Sequence, residues 1–285
     1  MEKIDKKTWN KIRNYMLKKQ EKGLLTGIDQ IDGIMGGLKK GEMTVVGGWQ
    51  AIGKTAFVLS LIDKICIEDK KKCILISTRA CKEDVIRRLI PIHGKIADKE
   101  INEEKIDSAI NDIDDSPLYI DDEPVVFFRE YITEIRRHTL LIKGVDLVVI
   151  DDIQNTGFGG KNIAEKEVNL LIAFKELAKE LDCHVIVTRK LNFQGQESEM
   201  GAERERLIPR LSDFGAYRAV LNYADNIMLL NRPYYFDLKE DKHIAHIYLE
   251  KGSVRCPGRM DLFYYPEYGL FSSERLEDVI EKNNN

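Results

Sequence analysis

Short apolar runs alternate with amphipathic segments along most of the chain. Five runs rich in Val, Ile and Leu, without polar alternation, are typical of strands buried on both faces. They are residues 43–47, 73–78, 117–121, 145–151 and 183–188. Apolar residues at helical spacing lie between them, as at residues 55–70, 126–143 and 163–181. This alternation predicts an α/β fold in which helices flank a mostly parallel, twisted sheet.

The pattern changes near the C-terminus, where two further strand-like runs, residues 225–230 and 244–250, have little helix between them. Parallel neighbours would need a long crossover connection, so the pair predicts an antiparallel C-terminal extension of the sheet. The final residues, 276–285, end in the polar sequence EKNNN and are predicted to form a flexible tail.

Residues 1–23 are predicted to form a basic amphipathic helix outside the sheet. They contain eight Lys or Arg residues against three acidic ones, although the whole chain has a net charge of −4. Apolar residues recur at helical spacing in residues 4–22, and Gly23 ends the pattern. A lone helix must bury its apolar stripe, so this one either folds back on its own domain or docks on a neighbouring subunit.

Composition excludes several classes of protein. With 285 residues, 43% of them hydrophobic and 32% charged, the chain can bury a sizeable core. No apolar run approaches the ~18 residues that a membrane span needs, and no signal peptide opens the chain, so we expect a cytoplasmic protein without a membrane partner. The five cysteines form no CxxC pair, which argues against structural zinc and a disulfide framework.

The strongest chemical motif is GWQAIGKT at residues 48–55, which matches G-x-x-x-x-G-K-[ST] between a predicted strand and a predicted helix. The glycines allow backbone N–H groups to wrap a phosphate, Lys54 can reach the β- and γ-phosphates, and the Thr55 hydroxyl can bind Mg²⁺. The motif predicts binding of ATP with Mg²⁺. The predicted nucleotide contacts are Gly48, Trp49, Gln50, Ala51, Ile52, Gly53, Lys54, Thr55 and Ala56.

A phosphate loop needs an acidic partner on another strand, and VDLVVIDD at residues 145–152 supplies one. Asp151 stands at the carboxyl end of this apolar run, where it can hold Mg²⁺ together with Thr55. An acid in such a place is usually a plain strand terminus, so its pairing with the phosphate loop is what predicts metal binding. Asp152 is the weaker candidate.

These motifs and the text around them resemble the motor domain of DnaB-type replicative DNA helicases, a family of RecA-like P-loop ATPases. The resemblance covers residues 23–271 and rests on the order and spacing of several segments. Among them are GLLTGIDQIDGIMGGLKKGEMTVVGG before the loop, LVVIDDIQ around Asp151, and IPRLSDF followed by YADNIMLLNRPYY. In the family a glutamine follows the metal-binding aspartate by three residues, which assigns Gln154 to the nucleotide site.

The resemblance implies a RecA-like ATPase domain over residues 24–275. It also implies a homo-oligomeric ring, usually of six subunits, that holds ATP between neighbours and grips single-stranded DNA in its channel. The basic helix stands where the family has a linker helix that packs on the adjacent subunit, which favours docking between subunits. The family's N-terminal collar domain has no counterpart in these 285 residues, which argues against a primase contact.

Two departures from the family fall on the predicted chemistry. Where the family has a glutamate that orients or deprotonates the attacking water, this chain has Arg79, which cannot act as a base. Glu83, one helical turn further on, is the nearest replacement. Lys190 stands where the family reads the γ-phosphate with a glutamine, and a lysine can still contact a phosphate.

Further departures concern the residues that would act between subunits and on DNA. Lys251 fits the lysine of a lysine–arginine pair that the family projects into the next subunit's site. Ser253 occupies the arginine position, and Arg255 could replace it if the loop carries an insertion. The loops expected to face the channel, residues 155–162 and 192–210, offer as DNA contacts Lys161, Arg204, Arg206 and Arg210.

Three functional hypotheses remain open. The leading one is an ATP-dependent DNA helicase or translocase that acts as a ring in replication, with Lys54, Asp151, Lys190 and Glu83 as its catalytic residues. The second is a catalytically degenerate, ATP-binding relative that assembles with or regulates a true helicase. The third is a RecA-like ATPase that uses nucleotide to control assembly. The intact loop favours the first, whereas Arg79 favours the second.

Overall fold

The strands of the computed structural model build one sheet. The structure describes residues 5, 6, 8–10, 13, 22–97, 101–123, 128–153, 163–191, 208–214, 217–252 and 258–276. The strands are β1 (Met43–Gly48), β2 (Cys73–Ser77), β3 (Leu118–Asp121), β4 (Leu147–Asp151), β5 (His184–Lys190), β6 (Asn226–Asn231), β7 (Ile244–Lys251), β8 (Gly258–Tyr265) and β9 (Leu270–Ser272). Their order in the sheet is β3-β2-β4-β5-β1-β6-β7-β8-β9.

The helices lie between the strands. Residues 6, 8–10 and 13 are helical, and these residues are referred to as α1. The others are α2 (Asp29–Met35), α3 (Lys54–Ile62), α4 (Lys82–Gly94), α5 (Glu103–Asp114), α6 (Phe128–Leu141), α7 (Ile163–Leu181) and α8 (Tyr217–Tyr223). After Ile62, α3 continues as a turn of π-helix over Asp63–Glu68. No helix within the described ranges is long and apolar enough to cross a bilayer.

The first six strands of the sheet, from β3 to β6, pair in parallel. Every residue of β1, β2 and β6 is buried, as expected for strands covered on both faces. The predicted α/β fold with a mostly parallel sheet is confirmed. The carboxyl ends of β1, β2, β4 and β5 therefore meet at one edge, and this edge carries the predicted chemistry.

The antiparallel extension is also present, with one difference in detail. The strands predicted at residues 225–230 and 244–250, β6 and β7, pair antiparallel to each other, but β6 also pairs in parallel with β1. The strands β8 and β9 complete the extension and were not predicted. In β8 the exposed Arg259 and Asp261 interrupt the apolar residues, because that strand is buried on one face only.

The N-terminal segment is described at a few residues. The backbone N–H of Thr8 donates to the Asp5 carboxylate at 2.7 Å, which caps the start of a helix. Trp9 is 56% exposed, so its ring is not buried against the described part of this chain. Most of the helix predicted at residues 4–22, and the tail predicted beyond Leu276, lie outside the described residues. Docking on a neighbour stays a prediction.

Candidate functional site

The loop between β1 and α3 has the backbone of a phosphate cradle. Gly53, which caps α3, has a φ of 110°, and Ala51 has a φ of 59°. The positive φ at position 53 favours glycine, and a Cβ here would also make a tight contact, 3.2 Å from Cζ of Phe271. The first N–H groups of α3 have no partner within the helix and point out of its N-terminus, where an anion is favoured.

Lys54 lies inside this loop. Its Nζ donates to the carbonyl oxygens of Gly48 at 3.1 Å and Trp49 at 2.9 Å. Burial lowers the pKa of Lys54, while the carboxylates of Asp152 and Asp151 act in the opposite direction. The ammonium group is thus held at the centre of the loop, within the electrostatic reach of both acids.

Asp151 is fixed by hydroxyl groups from two neighbouring elements. The Thr55 hydroxyl donates to Asp151 Oδ2 at 2.6 Å, and the Thr188 hydroxyl donates to Asp151 Oδ1. The second contact follows from the register, because Ile150 of β4 stands beside Val187 of β5 and the next residues are Asp151 and Thr188. Thr188 was not identified from the sequence, although a hydroxyl at the end of an apolar strand beside Asp151's strand is a usable signal.

Arg79 is brought to Asp152 by the pairing of β2 with β4. Ser77 stands beside Asp151, and the next residue, Thr78, ties the two strand ends together. Its N–H donates to the Asp151 carbonyl at 2.9 Å, and its hydroxyl accepts from the Asp152 N–H at 3.0 Å. Arg79 Nε then lies 3.2 Å from Asp152 Oδ2, with the Asp152 side chain 7% exposed and that of Arg79 48% exposed.

Lys190 comes to the same place from β5. It pairs with Gly48 in the parallel register of β1 and β5, and its Nζ donates to Gln50 Oε1 at 3.0 Å. The predicted γ-phosphate contact therefore lies beside the loop that would hold the phosphates.

A cleft of about 790 Å³ lies at the carboxyl edge of the sheet. Its lining includes Lys54, Thr55, Arg79, Asp151, Asp152 and Lys190. Residues of α4 form one wall, and Tyr264 with the turn between β8 and β9 forms the other. The Arg232 guanidinium lies 3.8 Å from the centre of the Tyr264 ring, and burial lowers the pKa of Arg232. The sequence did not identify this aromatic wall, because its residues follow the loop by more than 170 positions.

The residues present fit ATP with Mg²⁺. The cradle has positive-φ geometry and an ammonium at its centre, and the Thr55 hydroxyl and the Asp151 carboxylate are oxygen donors of the kind that Mg²⁺ prefers. Of the predicted contacts, the cleft is lined by Gln50, Ala51, Gly53, Lys54, Thr55 and Ala56. Gly48, Trp49 and Ile52 are buried beneath it. The side chains of Trp49 and Ile52 pack in the core, and a Cβ on Gly48 would stand 2.7 Å from Ile52.

Other predicted site residues lie elsewhere. Glu83 is exposed in the first turn of α4 and does not line the cleft, whereas the next residue, Asp84, does. Lys251 Nζ donates to the carbonyls of Leu221 and Ala224 at the C-terminal end of α8, outside this cleft. Arg210 is exposed. The predicted residues outside the described ranges are Gln154, Lys161, Arg204, Arg206 and Arg255.

The end of the segment IPRLSDF, residues 208–214, packs directly on β1. Phe214 is buried, and a Cβ added to Gly47 would stand 2.5 Å from its Cζ. The Arg189 guanidinium lies 5.3 Å from the centre of the same ring. The strand that leads into the phosphate loop therefore contacts, one residue before Gly48, a side chain that follows the predicted DNA contact Arg210 by four residues.

Comparison with known proteins shows the family of this chain. The sequence model of a family described as "DnaB-like helicase C terminal domain" matches residues 23–273. The chain belongs to this family. The resemblance stated from the motifs is thereby confirmed.

Curated relatives of the DnaB-type domain agree with this assignment. The chain is 25% identical over 274 residues to the replicative DNA helicase DnaC of Bacillus subtilis, covering 90% of the chain and 58% of that protein. It is 24% identical to the replicative DNA helicase DnaB of Geobacillus stearothermophilus, over 87% of the chain and 56% of that protein. The chain thus spans a little over half the length of these relatives.

Solved structures show the same fold. One is a DnaB-like replicative helicase studied with its primase interactions, which superposes with a TM-score of 0.84 at 23% identity, over 96% of this chain and 69% of the other. Another is an ATPase domain solved by itself, with a TM-score of 0.83 at 21% identity, over 96% of this chain and all of that one.

Proposed function

We propose that this chain is the ATP-driven motor of a DnaB-type DNA helicase, which acts as a ring on single-stranded DNA in replication. The observation that carries the proposal is the arrangement of Lys54, Thr55 and Asp151 at one strand edge, in a chain of the DnaB-like family. A preformed phosphate loop with an oriented carboxylate suits phosphoryl transfer, because that reaction depends on positioning and charge stabilisation.

Each group of residues has a part in this proposal. When bound, ATP with Mg²⁺ supplies the phosphoanhydride bond whose hydrolysis releases the energy for movement. The loop N–H groups and Lys54 bind the phosphates, Thr55 and Asp151 hold the cation, and Lys190 contacts the terminal phosphate.

The assembly is proposed to be a homo-hexameric ring with the nucleotide between neighbours. Lys251 and Arg255 would reach the adjacent subunit's cleft, and Gln154 would join the nucleotide contacts of its own. Single-stranded DNA would be held by the predicted contacts Lys161, Arg204, Arg206 and Arg210. The carbonyl contacts of Lys251 on α8 would have to open, or be exchanged, for that lysine to reach a neighbour.

A second candidate function is ATP binding with little hydrolysis, in a protein that assembles with or regulates another helicase. It is favoured by Arg79, which stands where the family has a glutamate, and by the exposed position of Glu83 outside the cleft. Loss of a general base typically lowers a rate by about 10²–10⁴-fold.

The steady-state ATPase rate, with and without single-stranded DNA, separates the two candidates on protein whose oligomer size is measured. A motor should hydrolyse ATP faster on DNA. Lys54→Ala should abolish both ATP binding and any nucleotide-dependent oligomer, because the loop loses its ammonium group.

A matched control is Lys64→Ala, which removes a lysine paired with Glu68 and Asp69 at the protein surface. Such exposed pairs contribute about 0–1 kcal/mol, so this variant should bind ATP like the parent. Undiminished ATP binding by Lys54→Ala would refute the nucleotide site. A parent that binds ATP but shows neither hydrolysis nor DNA stimulation would favour the second candidate.

A further inference from the structure

We propose that Arg79, anchored by Asp152, contacts the terminal phosphate of ATP from within the same chain. The proposal rests on the proposed ATP site and assigns a role to the residue that replaces the family's glutamate. Arg79 then acts as a binding and charge-stabilising group in place of a base.

The anchor holds the side chain by one edge. Arg79 Nε lies 3.2 Å from Asp152 Oδ2, and the Asp152 side chain is almost wholly buried. The Arg79 side chain is 48% exposed and lines the cleft, so part of its guanidinium group is accessible from there. Because this group is planar and presents five N–H donors, its contact with one carboxylate leaves further donors available for an anion.

Arg79 lies in the same part of the molecule as the residues that would hold the phosphates. Arg79 lines the same cleft as Lys54 and Lys190. Burial is the main cause that lowers the pKa of Lys54, and the charges of Arg79 and Lys190 add to it. Three cations in one cleft repel one another unless anions lie among them. Asp151 and Asp152 offset part of this charge, and the terminal phosphate of ATP would offset the rest.

Arg79 could also replace an arginine that the predicted site lacks at another position. The family projects an arginine into the site from the neighbouring subunit, but Ser253 occupies that position here. A guanidinium group binds phosphate oxygens through paired hydrogen bonds, whichever chain carries it. Arg79 can therefore supply, from its own subunit, a guanidinium group that position 253 of the neighbour does not provide.

A purely structural role would be different. In that case Arg79 only neutralises the buried Asp152, and its loss would weaken binding of all nucleotides alike through the folding of the site. A contact with the terminal phosphate distinguishes ATP from ADP, because ADP lacks that phosphate. The ratio of the two dissociation constants is thus the decisive quantity.

The experiment measures binding of a non-hydrolysable ATP analogue and of ADP, each with Mg²⁺, by direct titration of the full chain. Arg79→Gln, which removes the charge and keeps much of the length, should weaken analogue binding about 10- to 100-fold. Its ADP affinity should stay within about twofold. Arg79→Lys should fall in between, since an ammonium group offers one point of contact.

Two further variants test the anchor and the measurement. Asp152→Asn should lower the preference for the ATP analogue over ADP, because the guanidinium group is no longer held by a charge. Arg136→Gln breaks an arginine–carboxylate pair with Glu180 on the surface, away from the cleft, and should leave both affinities unchanged.

Equal weakening of both nucleotides by Arg79→Gln, or tighter binding of the ATP analogue, would overturn the proposal. The ATP site itself is judged by Lys54→Ala. If Lys54→Ala abolishes binding while Arg79→Gln leaves the preference intact, the proposed function stands and only the role of Arg79 fails.

Discussion

Asp151 has a hydroxyl donor on each of its carboxylate oxygens, and the two donors come from different elements. Thr55 belongs to α3 and Thr188 to β5. A carboxylate held from both sides keeps its orientation before a cation arrives, so less ordering remains to be done on binding. Thr188 is therefore expected to influence the metal without being one of its ligands.

Thr188→Val should weaken Mg²⁺-dependent nucleotide binding about 3- to 10-fold, because a buried hydroxyl that donates to a carboxylate is replaced by a methyl group of similar shape. The measurement is the affinity for nucleotide over a range of Mg²⁺ concentrations. Thr139→Val is the matched control, since the buried Thr139 hydroxyl has no hydrogen-bond partner within the described residues. Identical Mg²⁺ dependence in both variants would contradict the role of Thr188.

At this scale the sequence predicted what lies close together along the chain. Lys54 and Thr55 belong to one contiguous motif, and Asp151 ends an apolar strand that the motif needs as a partner. Thr188 and the pairing of Arg79 with Asp152 depend on which strands are neighbours and in what register. A local sequence pattern does not by itself give the strand order or the register, so neither contact was predicted.

His93 of α4 lies within hydrogen-bond distance of carboxylates on two other elements. Its Nδ1 lies 2.6 Å from Asp63 of the π-helical turn, and its Nε2 lies 3.2 Å from Asp112 of α5. The hydrogen bond with Asp63 raises the pKa of His93, whereas burial raises the pKa of Asp63. The interaction of His93 with the two carboxylates is an ion pair, and is strongest, when the imidazole is protonated.

The sign of the pH dependence follows from the raised pKa of His93. The stabilisation is fully present below the unfolded-state pKa of about 6.5 and is lost as the pH rises through the higher folded-state value. His93→Gln should therefore lower the free energy of unfolding, relative to the parent, more at pH 5.5 than at pH 8.5. Urea unfolding at both values measures this. His138→Gln, on a partly exposed ring, is the control, and an equal loss at both pH values would refute the link.

Among the elements, the buried strands were predicted to within one or two residues, because continuous apolar runs have few alternatives. The helix at residues 163–181 was predicted at its observed bounds. The helices α4 and α5 were not predicted. Each is rich in polar residues and buries few side chains, α5 only Ala109, and α4 contains Pro91, which is unusual inside a helix.

For the whole molecule, the open question is what covers the apolar stripe of the N-terminal helix. Trp9 is more than half exposed, and an indole is costly to leave in water. The chain folds around a sheet that needs no contribution from this residue. A neighbouring subunit is the occupant that the proposed ring would provide.

If the helix docks on a neighbouring subunit, Trp9→Ala should shift the assembly towards smaller species, because Trp9 would be a large apolar contact there. Sedimentation velocity at several protein concentrations, with ATP and Mg²⁺, measures the shift. Trp9→Phe keeps an aromatic ring and should assemble like the parent. If Trp9→Ala assembled equally well, the helix would not be the docking element.

The phenylalanine variant also makes the phosphate loop observable by fluorescence. The chain contains two tryptophans, Trp9 and Trp49, and Trp49 is 4% exposed in the loop, where its carbonyl accepts from Lys54. Trp9→Phe leaves a single indole, located next to Gly48. Any rearrangement of the loop around a phosphate should change the emission of that indole, so the protein would report nucleotide binding without an added label.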